Sequence, residues 1–299
     1  MPRILVSFIS FLIAVASFVA QISGDARTTE LLAQARAALG GETKLAKVQG
    51  LTASGALTRA LPDRSLTGEI TLDLQLPDKM LRTESINMMG DATMVTEFGL
   101  NGEKLLRNSR TIGGGPNMII RMPGPPAAGS AAEAQGVRNV RAELARLSLA
   151  LLLTSSPSIP LEFSYGGEAE AEEGKADILD AKRPNNFLAQ LFLDKKTHRP
   201  LMLVYKGVSP SMIMRTQTSE GPPDPVRVER AARDAAADDA PPPHPVVDIS
   251  MFFDDYKQVD GVWLPHHVSR SVDGKPSDEW TFKAIKVNPA FKPDAFASK

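Results

Sequence analysis

Hydrophobic and polar residues alternate along much of this chain. In GEITLDLQL, Ile70, Leu72, Leu74 and Leu76 fall on one parity, and Thr71, Asp73 and Gln75 on the other. That is the period-2 pattern of a half-buried strand. Pro77–Lys79 turns the chain, and MLRTESI reads as the next strand. Asn101-Gly102 separates MVTEFGL from EKLLRN, and Asp260-Gly261 and Asp273-Gly274 punctuate the C-terminal third. Such dipeptides suit the positive backbone angles of tight hairpins. Strands joined by hairpins pair antiparallel. A second series runs through KADILDA, FLAQLFLDK and RPLMLVYKG, and a third through VVDISMFFDDYKQV, VWLPHHVSRSV and DEWTFKAIKV.

Two segments change the period. TTELLAQARAALGG predicts a helix capped by Thr28 or Thr29, striped by Leu32, Ala35 and Leu39 and stopped at Gly40-Gly41. Glu42 to Val48 adds a further turn. Ser130-Ala-Ala-Glu133 has the form of a capping box. Val137, Val140, Leu144, Leu147 and Leu151 then recur at helical spacing, so Glu133 to Leu153 is read as an amphipathic helix. Between the two helices lies a Gly/Pro-rich loop, Thr111–Ser130, with an apolar tip from Met118 to Met122.

The N-terminus carries one basic residue, Arg3, then an uncharged apolar run from Ile4 to Ala20 and the small residues of AQISGDA. This is the form of an export signal cleaved after Ala20 or Ala26, with an uncleaved anchor as the alternative. From Ser209 to Pro245 the chain holds eight of its 23 prolines and the run ERAARDAAADDAPPPHP. That composition cannot bury enough apolar surface to offset ordering, which predicts a disordered insertion between two strands. The expected organisation is a signal over 1–26 and one domain over 27–299, with the insertion at 209–245.

Composition narrows the chemistry. The 299 residues carry 34 basic and 35 acidic side chains, no basic surplus of the kind nucleic acid demands. The chain has no cysteine, which removes disulfides, thiolate metal sites and a cysteine nucleophile. His266 and His267 are adjacent, so on a regular strand they point to opposite faces and cannot share a metal. Asp254, Asp255 and Glu279 are candidates for an acid/base or cation site, with nothing in the spacing to bring them together. GGGPN lacks the Lys-Ser/Thr of a phosphate loop. Glu168–Gly174 reads as a solvated acidic hairpin tip. Pro265 predicts an edge or a bulge in its strand. No enzyme, metal or cofactor is expected.

Several strands are apolar on both faces. Ile249, Met251 and Phe253 oppose Phe252 and Tyr256, and Val262, Leu264 and Val268 oppose Trp263. An antiparallel sheet with one wet face alternates cleanly, so two apolar faces need two covers. Met and Leu suit a cavity for a variable apolar ligand.

YKQVDGVWLPHHVSRSVDGKPSDEWTFKAIKVNPAFKPDAF resembles the closing segment of the periplasmic outer-membrane lipoprotein-sorting proteins of the LolA/LolB-like superfamily, and GEITLDLQLPDKMLRTE followed by LNGEKLLR fits the same pattern. The resemblance implies a mainly β, α+β fold: a strongly curved antiparallel sheet, an unclosed β-barrel, with helices on its concave side and an apolar cavity for acyl chains. It supplies no ligand-contact residue. From the strand and helix pattern, the cavity is expected to be lined by Ile70, Leu72, Leu74, Leu76, Met118, Met122, Leu144 and Leu147. The expected protein is a periplasmic, monomeric, non-enzymatic carrier or sensor. Its expected partners are a lipid or lipidated protein, an envelope protein, and peripherally a membrane, with no nucleic acid. The alternative is an envelope interaction module without a lipid ligand.

Overall fold

The computed structural model describes residues 26–88, 91–113, 126–155, 159–171, 174–182, 188–208 and 246–297. The segment up to residue 25 expected as an export signal, the loop tip Met118–Met122 and the expected insertion 209–245 lie outside the described residues.

Twelve strands form one antiparallel sheet: β1 (Gly50–Ala60), β2 (Ser65–Gln75), β3 (Lys79–Asn87), β4 (Thr93–Asn101), β5 (Lys104–Ile112), β6 (Glu162–Ala171), β7 (Gly174–Lys182), β8 (Leu188–Asp194), β9 (Pro200–Val208), β10 (Val246–Val259), β11 (Val262–Val272) and β12 (Lys275–Val287). Their order is β5-β4-β3-β2-β1-β12-β11-β10-β9-β8-β7-β6. The chain thus makes two meanders that β1 and β12 join by pairing directly. Among the described residues β5 and β6 do not pair, so the barrel stays open. The helix α3 (Ala131–Leu152) connects these two edges and packs against β3, β4 and β5 on one side and β9 on the other. One helix touches both halves because the sheet curves around it. The sheet is therefore the curved, unclosed barrel that the sequence resemblance implies, with α3 on its concave side.

The turn chemistry explains the meander. Asp260-Gly261 and Asp273-Gly274 each form a two-residue loop with both φ angles positive, 50° and 82°, and 47° and 74°. At the β4–β5 hairpin the register differs from expectation. Asn101 pairs with Lys104 inside the ladder, and the loop is Gly102–Glu103 with φ 62° at Gly102. Pro265 is accommodated because the β11–β12 ladder begins only at His267, so no β12 strand awaits its missing N–H.

The first helix, α1, spans 26–39, so Thr28 and Thr29 lie inside it and do not cap it. Arg27 in its first turn pairs with Glu30 and with Asp177 of β7, and Thr28 is buried. Its buried stripe is Leu31, Ala35 and Leu39, with Leu32 only partly buried. Gly40 and Gly41 stop it at φ 129° and 95°, and the short α2 (Glu42–Leu45) follows. Ser130 caps α3 by accepting from Glu133 N at 3.1 Å, while Glu133 returns its carboxylate to Gly129 N at 2.6 Å, one residue earlier than a strict capping box. Glu168–Gly174, expected as a solvated hairpin tip, forms the end of the β6–β7 hairpin, with Glu168–Ala171 in β6 and Ala171 pairing with Gly174. β1 has no counterpart in the pattern reading. Its inward positions Leu51, Ala53, Gly55 and Leu57 include small residues that leave the alternation faint.

Candidate functional site

The concave face divides into an apolar floor and a charged belt. At the floor, Leu51 and Ala53 of β1, Leu72 and Leu74 of β2, Leu264 and Pro265 of β11, and Phe282 and Ile285 of β12 meet Leu151 of α3 around a void of about 20 Å³. Every lining side chain is apolar. A space of this size holds about one water-sized probe, and Leu151 of α3 forms its helical wall.

The expected cavity residues separate accordingly. Ile70, Leu72 and Leu74 share the inner face of β2 and are buried, as are Leu144 and Leu147 of α3. Leu72 and Leu74 reach the void. Leu76 does not share their strand, because β2 ends at Gln75. It sits in the turn to β3, half-buried, where its N–H donates to Gln49 O at 2.8 Å. Met118 and Met122 lie outside the described residues.

Above the floor runs a belt of ion pairs that the sequence reading missed. On β3, Arg82 and Glu84 have the same parity as the buried Met80 and Ile86. That parity was the available signal. Arg59 of β1 reaches Glu84 Oε2 at 2.9 Å and Asp278 Oδ1 of β12 at 2.7 Å. Arg82 pairs with Glu84 at 3.0 Å and with Glu143 of α3. Arg270 of β11 lies 3.6 Å from Asp278. Arg146 of α3 stacks its guanidinium 4.0 Å from the ring centre of Tyr205 on β9. Burial opposes charge on Arg82, but Glu143, Glu84 and Asp278 outweigh it and hold its pKa above the usual arginine value. For Asp278 burial is likewise overcome, by Arg59 and Arg270, and its carboxyl stays below the usual range. Arg146 goes the other way. Burial lowers its pKa and neighbouring Arg270 adds to that, against the raising effect of Tyr205 and Glu143.

On the outer face, His267 sits between Asp254 of β10 and Glu279 of β12. Its Nδ1 is 2.9 and 3.0 Å from the two Asp254 oxygens, and its Nε2 is 2.8 Å from Glu279 Oε1. The register of three adjacent strands thus joins carboxylates that their spacing left apart, while Asp255 turns away at φ 48° to pair with Lys257. Both ring nitrogens can donate only as imidazolium. Burial works against that charge, but the hydrogen bonds and charges of Asp254 and Glu279 raise the pKa above the usual imidazole value. His266 faces the opposite way, buried, with Nδ1 donating to Leu264 O at 3.2 Å. Among the described residues no group of three or more His, Asp or Glu is arranged to hold a metal ion.

The two apolar faces of the late strands meet different fates. Arg199 covers Trp263 and Tyr256, its guanidinium 3.9 and 5.5 Å from their ring centres, while its Nε donates to Ala38 O at the end of α1. Further along, Ile178, Phe192, Met202 and Phe252 stand in register across β7, β8, β9 and β10 on the outer face. Three are half-buried, and Phe252 is 41% exposed. A separate open cleft of about 360 Å³ lies between Glu103 and the start of α3, walled by Glu133, Arg138 and Arg141. Its charged walls do not suit an acyl chain.

No protein-family model matches the chain, and no curated protein matches it. Solved structures do resemble it. One is a LolA superfamily protein, NE2245, from Nitrosomonas europaea, at 8% identity and TM-score 0.46, covering 91% of this chain and 97% of that one. Another is a DUF1329 family protein from Desulfovibrio piger, at 10% identity and TM-score 0.44, covering 90% and 96%. At values this low, function is read from this chain's own residues. The third, at 10% identity and TM-score 0.43 and covering 91% and 96%, is an outer membrane lipoprotein-sorting protein domain from Vibrio parahaemolyticus.

Proposed function

We propose that this protein is an exported, non-enzymatic carrier or sensor that takes the acyl chain of a lipid or lipidated protein between α3 and the concave floor. The observation that carries the proposal is the all-apolar void at Leu151, lined by strands from both meanders. A plain sandwich core would close on a second sheet. Here a single helix closes it, and displacing Leu151 and its neighbours opens the floor without breaking a strand ladder. Each methylene that leaves water there contributes about 0.8 kcal/mol, so a chain of ordinary length offsets the cost of association and of moving the helix. His267 has both ring nitrogens engaged by carboxylates, which leaves neither to accept a proton from a substrate. The site of action is the periplasm, reached through the N-terminal signal. N-terminal sequencing of the mature protein is then expected to start at Gln21 or Arg27.

The test is binding of an environment-sensitive fatty-acid probe to delipidated protein, with displacement by unlabelled acyl chains. Ala53→Leu narrows the void and is expected to weaken the probe while circular dichroism stays native. Folded wild-type protein that ignores every acyl probe would overturn the proposal.

One observation favours a second reading, an envelope interaction module. The outer row ending at the exposed Phe252 is a surface that a protein partner could bury. If Phe252→Lys abolishes an envelope contact and leaves acyl binding intact, the two activities belong to opposite faces of one sheet.

A further inference from the structure

The ion pairs of the belt match in charge. Arg59, Arg82 and Arg270 pair with Glu84, Glu143 and Asp278, so nothing among these pairs calls for a further ion. What is left over is hydrogen-bond donors. Arg270 Nε and Trp280 Nε1 are buried and have no hydrogen-bond partner among the described residues. Trp280 is only 3% exposed. An indole N–H can only donate, and so can a guanidinium N–H. A buried donor left unsatisfied is costly and calls for a specific explanation.

The register brings the two donors together and sets them beside the floor. Arg270 pairs with Asp278, and Val268 with Trp280, so Arg270 and Trp280 are diagonal neighbours on the concave face. The next inward residue of β12 after Trp280 is Phe282, whose ring centre lies 6.3 Å from that of the indole. Phe282 also lines the apolar void. Donors at the edge of an apolar space suit an uncharged oxygen that accepts and carries no proton of its own. A carbonyl oxygen has two lone pairs for this. A hydroxyl would bring a proton that needs an acceptor in turn.

We infer that Trp280 and Arg270 bind the carbonyl oxygen of an acyl chain held in ester or amide linkage. This deepens the proposed function and rests on it for the tail. The oxygen accepts from Trp280 Nε1 and Arg270 Nε, and the chain runs past Phe282 onto the floor. A free fatty acid is the poorer ligand, because its carboxylate must shed water and then meets ion pairs that are already matched. A plain hydrocarbon fills the floor and leaves both donors as they are.

The chain has two tryptophans, Trp263 and Trp280, so a proton–nitrogen correlation spectrum carries two indole N–H signals, which Trp263→Phe assigns. Four compounds are added to the delipidated mature protein. Methyl decanoate stands for the ester-linked chain and N-methyldecanamide for the amide-linked one, with decanoate as the free acid and undecane as the bare hydrocarbon. The ester and the amide are expected to move the Trp280 signal downfield, and undecane is not. Displacement of the fatty-acid probe gives the affinities. Trp280→Phe keeps an aromatic ring and removes one donor, so it should weaken the ester and the amide about threefold to tenfold and undecane not at all; the wild-type spectrum decides should that variant not fold. An ester and an amide that displace the probe without moving the Trp280 signal, or that move it no more than undecane does, overturn the carbonyl site and leave the acyl reading standing. Decanoate binding more tightly than methyl decanoate also overturns the carbonyl site. No binding by the probe or by any of the four compounds overturns both.

Discussion

Each face of the sheet carries a chain of ion pairs that crosses three or more strands. On the concave side, Glu84, Arg59, Asp278 and Arg270 link β3, β1, β12 and β11, and Arg82 ties the chain to Glu143 of α3. On the outer side, Asp254, His267 and Glu279 link β10, β11 and β12. The Glu84 and Asp278 side chains are 7% and 4% exposed, those of Asp254 and Glu279 62% and 55%. The geometry is similar, and the dielectric surroundings are not. Inside, each charge depends on its partners to offset lost hydration, so the network is costly to break and selective about what can join it. Outside, water substitutes for any partner, and the same contacts are worth little.

The largest expected effect is on the inner chain. Asp278→Asn leaves Arg59 and Arg270 short of a carboxylate and is expected to cost about 3–5 kcal/mol in urea unfolding. Asp278 has a depressed pKa in the folded state, so its contribution is present above the unfolded carboxylate value of about 3.9 and is lost as pH falls through the lower folded value. The variant should therefore also show a shallower acid limb. A loss under about 1 kcal/mol would mean that water reaches the belt.

Next is the cover. Leu144 is 1% exposed at the centre of α3, and Leu144→Ala is expected to cost about 2–5 kcal/mol by the same measurement. A much smaller loss would show α3 to be loosely seated, which favours ready displacement by a ligand.

The outer chain should respond by less than about 1 kcal/mol and with opposite pH sense. The folded pKa of His267 is raised. Its contribution is complete below the unfolded value of about 6.5 and disappears as pH rises through the folded value. His267→Ala should remove that slope between neutral and mildly alkaline pH and leave stability at pH 9 unchanged. An unaltered profile would assign the slope to other groups. Smallest of all, Phe252→Ser on the outer row is expected to stay within about 0.5 kcal/mol of wild type. A clear destabilisation there would mean that the row is covered in solution.

The parts of this organisation that were legible in the sequence are those set by neighbours in the chain. GEITLDLQL alternates cleanly because one face of β2 is core and the other half-wet, and Ser130 with Glu133 announces α3 because capping acts within four residues. β1 was not legible. At its register shift against β12, a side chain at Gly55 would run into the Thr281 carbonyl, so close packing requires a residue with no hydrophobic signal. The belt was half-legible. Arg82 and Glu84 fall on an inward parity, but parity does not say whether an inward charge finds a partner.

The sequence by itself determined that hairpins make the sheet antiparallel, that α3 has one apolar side, and that His266 and His267 face opposite ways. Turn geometry, helical period and strand period are local properties of the backbone. Only the tertiary structure decided that β1 pairs with β12 across more than two hundred residues, that α3 fills the gap between two sheet edges, and that Arg59, Arg82 and Arg270 converge on Glu84, Glu143 and Asp278. Those contacts depend on which strands become neighbours, and that follows from burying the whole apolar face at once, which no short stretch of sequence encodes.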